Sequence, residues 1–84
     1  MSWIITYDHL EDRPVLMNKP NDARVLPKFK YAFRLFDDDG ELYFSGLSTS
    51  RDDEAAFEPL DYTESAYGCT EIQYRQDDDT WETL

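Results

Sequence analysis

Apolar and polar residues alternate most clearly between Lys28 and Phe36. Phe29, Tyr31, Phe33 and Leu35 interleave there with Lys28, Lys30, Ala32 and Arg34. Period two is the signature of a strand, with one apolar face and, here, one largely basic face. Asp37-Asp38-Asp39-Gly40 follows, and Asp-Gly accepts the positive φ angles of a tight hairpin turn. Glu41 to Leu47 then returns as a second strand, with Leu42 and Phe44 facing one way and Tyr43 and Ser45 the other. A second alternating run, Cys69 to Arg75, sets Thr70, Ile72 and Tyr74 against Glu71, Gln73 and Arg75. Gln76-Asp77-Asp78-Asp79 reads as its turn, and Thr80 to Leu84, carrying Trp81, as a closing strand. Ser2 to Tyr7 is β-branched and aromatic, the composition of an opening strand.

The remaining segments are less periodic. Asp8 to Pro27 holds Pro14, Pro20 and Pro27, so it predicts a long loop with at most a short extended piece at Val15–Met17. Between Ser48 and Gly68, Ser50 is placed to cap a short helix. Asp52, Asp53 and Glu54 would sit in its first turn, where carboxylates favour the positive end of the helix dipole. Ala55, Ala56 and Phe57 would continue it and Pro59 would stop it, leaving Leu60 to Tyr67 as a further helical turn or coil. The expected fold is α+β or mainly β. It is a single domain over residues 1–84, a meander of four or five antiparallel strands with one short helical segment. One face of the sheet is expected to pack under the long loop and the helical turn.

Composition narrows the function classes. The longest apolar stretches, such as Trp3-Ile4-Ile5, fall far short of the ~20 residues that span a bilayer. No basic segment precedes an apolar one at the start, so no signal peptide is predicted. A single cysteine, Cys69, excludes an intrachain disulfide and a Cys-based zinc site. The default setting is therefore reducing and cytoplasmic. A net charge of -11 opposes direct binding to membranes or nucleic acids, which are themselves anionic. Aromatic residues make up 15% of the chain, and each large ring can bury ~150–250 Å². That supply makes a packed core attainable in a short, charged sequence.

Little in the sequence suggests catalysis. His9 stands near Asp8, Glu11 and Asp12, the company of a general base or metal ligand, but an exposed loop histidine is the plainer reading. Cys69 follows a glycine and opens a strand, which suits a small buried residue better than a nucleophile needing a base. Asp37-Asp38-Asp39-Gly40-Glu41 invites a calcium reading. In an EF-hand loop with Gly40 sixth, however, Leu35 and Gly46 would fall at the first and twelfth positions, and neither offers a side-chain oxygen. Gly40, Gly46 and Gly68 are too scattered for a phosphate loop. The sequence predicts no enzyme, no cofactor and no metal.

Charge carries more. Residues 1–36 hold four acids and six bases, whereas residues 37–84 hold fifteen acids with only Arg51 and Arg75 as bases. The acids gather at Asp37, Asp38, Asp39 and Glu41, at Asp52, Asp53 and Glu54, and at Asp77, Asp78 and Asp79. A solubilising coat is one reading, and adaptation to high salt is another. The third is mimicry of a nucleic-acid backbone. Carboxylates two residues apart on one strand face lie ~6.6–6.8 Å apart, and DNA carries one phosphate per ~3.4 Å on each strand. A crowded carboxylate face can thus present a comparable field.

The segments Phe33-Arg34-Leu35-Phe36-Asp37-Asp38-Asp39-Gly40-Glu41 with Tyr43 and Gly46, Phe57-Glu58-Pro59-Leu60-Asp61, Gly68-Cys69-Thr70-Glu71-Ile72-Gln73-Tyr74 and Trp81-Glu82-Thr83-Leu84 form a pattern. It resembles a group of small bacterial proteins without an assigned activity, often encoded beside phage or plasmid genes. In size and acidity the chain is also similar to anti-CRISPR proteins, several of which mimic DNA. These likenesses imply a phage- or mobile-element-encoded inhibitor that occupies a basic DNA- or RNA-binding site of a host defence complex. The ten acids named above are the expected contact residues, with Tyr43 or Tyr67 as an aromatic anchor. The alternative is a non-catalytic host interaction module or homo-oligomer whose acidity serves solubility and whose Lys28, Lys30 and Arg34 face is the working surface.

Overall fold

Residues 3–20 and 22–84 are described by a computed structural model. Met1, Ser2 and Asn21 lie outside it, including the residue at which the opening strand was expected to begin. The fold is α+β: a six-stranded antiparallel sheet with one α-helix. The strands are β1 (Trp3–Asp8), β2 (Arg13–Met17), β3 (Tyr31–Phe36), β4 (Leu42–Ser48), β5 (Glu71–Arg75) and β6 (Trp81–Thr83). The helix α1 spans Glu58–Tyr67.

The strand order β2-β1-β4-β3-β5-β6 corrects the expected meander of four or five strands in two ways. First, the extended piece near Val15–Met17 is a full edge strand, beginning at Arg13 and paired with β1. Pro14 is tolerated there because an edge strand has one side without ladder bonds. Second, two connections cross the sheet. Residues 18–30 carry the chain past β1 and β4, through a 3₁₀ helix over Ala23–Lys28. That helix takes up Lys28, which the alternation had assigned to the strand. The β4–α1–β5 connection passes β3, so β4 and β5 are parallel, with β3 antiparallel between them. This is a split β-α-β unit.

The main core lies between the sheet and α1. Trp3, Ile5, Phe33, Leu35, Phe44, Ile72 and Tyr74 contribute from the strands, with Ala56 and Cys69 from the connections. Full burial of each large apolar side chain favours folding by ~1.5–3 kcal/mol. Ile4 is also buried and stands outside this cluster together with Phe29. Alternation aims Ile4 at the face of the sheet opposite Trp3 and Ile5.

Two local corrections have clear causes. Pro59 begins α1 instead of ending a helix, since its missing N–H is an orphan in the first turn anyway. Asp53, not Ser50, supplies the cap, accepting the Ala56 N–H at the start of the 3₁₀ turn Glu54–Phe57. In the hairpin, Leu35 pairs with Phe44 but Phe36 pairs with Leu42, so Tyr43 is an extra residue in a bulge. The bulge turns Tyr43 toward the core side and puts Leu42 opposite Phe36 on the other face, reversing the simple alternation.

Candidate functional site

Strand directions decide where the acidic turns go. The 37–41 turn joins β3 to β4, and the 76–80 turn leaves β5. Since β4 and β5 are parallel, these turns occupy opposite ends of the sheet. Residues 52–54 follow β4 and therefore join the 77–79 turn. Arg51 confirms the grouping by donating from Nη1 to Asp77 Oδ1 at 3.1 Å. Of the three predicted acidic clusters, two share an end and the third stands alone at the other.

The two triple-aspartate turns are the same device. Gly40 N–H bonds the Asp37 carbonyl and Asp37 N–H the Glu41 carbonyl. In parallel fashion, Asp79 N–H bonds the Gln76 carbonyl and Gln76 N–H the Thr80 carbonyl. Gly40 (φ 79°) and Asp79 (φ 66°) hold the matching left-handed position. Some of the carboxylates work inside the turns. Asp37 Oδ1 accepts the Asp39 and Glu41 amides at 2.9 Å each. The Glu41 amide above all lowers the Asp37 pKa, burial opposes this, and the Tyr43 hydroxyl and Asp39 amide assist. Asp78 Oδ1 accepts the Thr80 hydroxyl at 2.6 Å and the Thr80 amide at 3.2 Å, which likewise lowers its pKa. Asp38, Asp39, Glu41, Asp52, Glu54 and Asp79 are exposed.

The end that carries the 37–41 turn gains acids that linear charge counting assigned elsewhere. β1 runs antiparallel to β4, so its C-terminal end lies beside that turn, and His9 N–H bonds the Tyr43 carbonyl. The β1–β2 turn thus brings Asp8, Glu11 and Asp12 to Asp37, Asp38, Asp39 and Glu41. Arg13, the first residue of β2, flanks the β1–β2 turn and pairs with Glu11 at 3.4 Å. α1 also points its C-terminal, carbonyl-rich end this way, adding partial negative charge. Its Tyr67 lies edge-on to Phe44 at 4.8 Å while remaining 42% exposed. The other end is mixed: Lys30, Arg51 and Arg75 share a cleft of about 350 Å³ with Asp77 and Asp79.

The sheet face opposite α1 holds a second arrangement that the sequence did not disclose. Arg34 stacks over Trp81 at 4.1 Å and over Phe36 at 5.3 Å, and its Nε donates to Gln73 Oε1 at 2.8 Å. Gln73 and Thr83 in turn donate to Glu71 Oε2 at 2.6 and 2.7 Å. These contacts lower the Glu71 pKa, Gln73 first and Thr83 second. The pairing of Phe36 with Glu71, Arg34 with Gln73 and Arg75 with Trp81 puts these side chains on one surface. That register depends on long-range pairing, so no local sequence signal announced it.

The two candidate reactive residues have quiet settings. His9 Nε2 lies 2.8 Å from Ser45 Oγ, and its ring stacks against Tyr7 at 4.7 Å. Among the described residues no carboxylate bonds its second ring nitrogen, so the pair lacks the orienting group of a nucleophile-activating set. Cys69 is fully buried, and that burial raises its thiol pKa. Among the described residues no group of His, Cys, Asp and Glu is arranged to hold a metal ion, and no helix is long and apolar enough to cross a membrane. Comparison with protein-family models, curated proteins and solved structures gives no match.

Proposed function

We propose that this protein is a non-catalytic inhibitor that presents its acidic end to a basic nucleic-acid-binding site of a partner protein. The setting suggested by the sequence likeness is a phage or mobile element acting on a host defence complex, in the manner of anti-CRISPR proteins. The observation that carries the reading is the gathering of Asp8, Glu11, Asp12, Asp38, Asp39 and Glu41 at one end, in turns that hold no Lys or Arg and are flanked by Arg13 at the start of β2. Such a surface steers a cationic groove by long-range attraction, and its binding weakens as salt rises. Tyr67, half exposed beside this end, offers the aromatic contact that often anchors an interface. The 52–54 and 77–79 clusters play a lesser part, because Arg51, Arg75 and Lys30 offset them.

Immobilised protein exposed to bacterial lysate tests the reading, with duplex DNA as competitor. Retention of nucleic-acid-binding proteins that DNA displaces is the expected result. Retention that DNA leaves unchanged would sink the proposal. A second reading, a host interaction module working through its sheet face, is favoured by the Arg34–Trp81–Phe36 stack, since Arg and Trp are enriched at interface hot spots. Partners held that way would be lost in Trp81→Ala and would change little with salt.

A further inference from the structure

The end of the sheet away from the 37–41 turn holds the cleft of about 350 Å³. Topology brings three bases to it from separate stretches of chain: Lys30 just before β3, Arg51 beyond the end of β4 and Arg75 at the end of β5. Arg51 is a fixed part of the wall. Its Nη1 donates to Asp77 Oδ1 at 3.1 Å and to the Arg75 carbonyl at 3.4 Å, and its guanidinium lies 4.8 Å from the Tyr31 ring centroid. Lys30 and Arg75 are differently placed. Both are exposed, and among the described residues neither has a carboxylate partner. The acceptors divide in the same way. Asp77 is taken up by Arg51, and Gln76 Nε2 donates to the Tyr74 carbonyl at 3.1 Å. Gln76 Oε1 and the Asp79 carboxylate are left, among the described residues, without a donor.

We infer that this cleft binds a small sugar phosphate, with the phosphate group at Lys30 and Arg75 and sugar hydroxyls at Asp79 and Gln76. Charge selects the anion. With Arg51 and Asp77 paired, two bases face one acid, so the cleft is locally positive in a chain of net charge -11. The field of the whole molecule repels anions, and only these bases can hold one here. Two separate cations match the double charge of a phosphate monoester better than the single charge of a carboxylate, and Arg presents paired donors to phosphate oxygens. Hydrogen bonding selects the rest of the ligand. The Asp79 carboxylate and Gln76 Oε1 offer only acceptors, which hydroxyl groups satisfy. Size agrees, because small-molecule sites are typically ~300–1,000 Å³ and a bare phosphate would leave most of this volume to water. A free amino acid would meet Asp79 with its ammonium group but would leave one base unpaired. The cleft and the 37–41 turn lie at opposite ends of the sheet, so the inference does not depend on the reading given for the acidic end.

The test titrates isotope-labelled protein at low salt with ribose 5-phosphate, ribose, inorganic phosphate and serine. The backbone amides of Tyr31 and Gln76 and the side-chain N–H of Arg75 report on the cleft, and the amides of residues 38–41 are the internal control. Ribose 5-phosphate should move the cleft signals saturably, with affinity on the order of 1 mM, and leave the control unmoved. The other three ligands should bind at least about fivefold more weakly, since each lacks either the phosphate or the sugar hydroxyls. Lys30→Gln and Arg75→Gln, both at exposed positions, should each weaken ribose 5-phosphate by a similar factor. Asp79→Gly keeps the left-handed turn position but removes the acceptor, so the preference for ribose 5-phosphate over inorganic phosphate should fall below about twofold. Cleft signals that do not move, equal affinity for ribose 5-phosphate and inorganic phosphate, tighter binding of serine, or indifference to the three substitutions would each overturn the inference. None of these outcomes bears on DNA competition at the acidic end.

Discussion

Tyr74→Phe removes a single oxygen from the centre of the core. The Tyr74 side chain is 1% exposed, and its hydroxyl donates to the Ala56 carbonyl at 2.8 Å, joining β5 to the turn that precedes α1. Loss of the donor leaves a buried carbonyl without this partner, a penalty of about 1–3 kcal/mol, reduced by the desolvation that the hydroxyl no longer undergoes. A net loss near 1–2 kcal/mol at neutral pH is therefore expected. Burial also pushes the phenol pKa up from 10.0 to about 12. The folded-state value is the raised one, so the stabilisation is complete below pH 10 and is lost as pH rises toward 12. Two units correspond to roughly 2.7 kcal/mol at most. Chemical denaturation of both proteins at intervals from pH 8 to pH 12 measures the difference directly. Wild type should lead by about 1–2 kcal/mol at pH 8, and the lead should vanish or reverse by pH 12. A difference that stays constant across this range would refute the desolvated, carbonyl-bound phenol.

Three further substitutions test other parts of the fold. Gly46→Ala would drive its new methyl group into the Ile4 carbonyl and to 2.6 Å from the Phe33 ring, so thermal unfolding should show a loss of about 3 kcal/mol or more. A loss under 1 kcal/mol would mean that the ring does not cover Gly46. Asp79→Gly should raise stability by about 0.4–1 kcal/mol, because Asp79 holds the left-handed position that Gly40 fills in the sister turn. A destabilised variant would show that the Asp79 carboxylate matters more than its backbone. Asp37→Asn concerns acid stability: the amide-bound carboxylate has a lowered pKa, so its contribution is present above the ordinary carboxylate range and fades as pH falls through the folded-state value. The variant should therefore show a flatter decline of melting temperature between about pH 5 and pH 2 than wild type.

The elements legible in the sequence were those with local causes. The β3–β4 hairpin and the β5–β6 pair announce themselves through period-two alternation around aspartate-rich turns. Strand order was not legible, because the crossing of residues 18–30 and of α1 is decided by which apolar faces must be covered, a property of the whole sheet. Pro59 misled because the same residue ends a helix from inside and starts one at its first turn. β2 hid among prolines and charges that only an edge strand tolerates. For the site, the three acidic clusters were readable, but their grouping was not. Linear counting made the first 36 residues basic, yet Asp8, Glu11 and Asp12 fold back to join Asp38 and Asp39. The Arg34–Trp81 stack escaped for the same reason, as its members meet only through the pairing of three strands.

The central claim is that position, not total charge, makes the acidic end a docking surface. Two triple variants with identical net charge separate these possibilities: Asp38→Lys with Asp39→Lys and Glu41→Lys at one end, and Asp52→Lys with Glu54→Lys and Asp79→Lys at the other. Retention of the DNA-displaceable partner is measured for each against rising salt. The account predicts that the first variant loses the partner even at low salt, whereas the second retains it with a salt dependence close to wild type. Equal loss in both variants, or none in either, would contradict it.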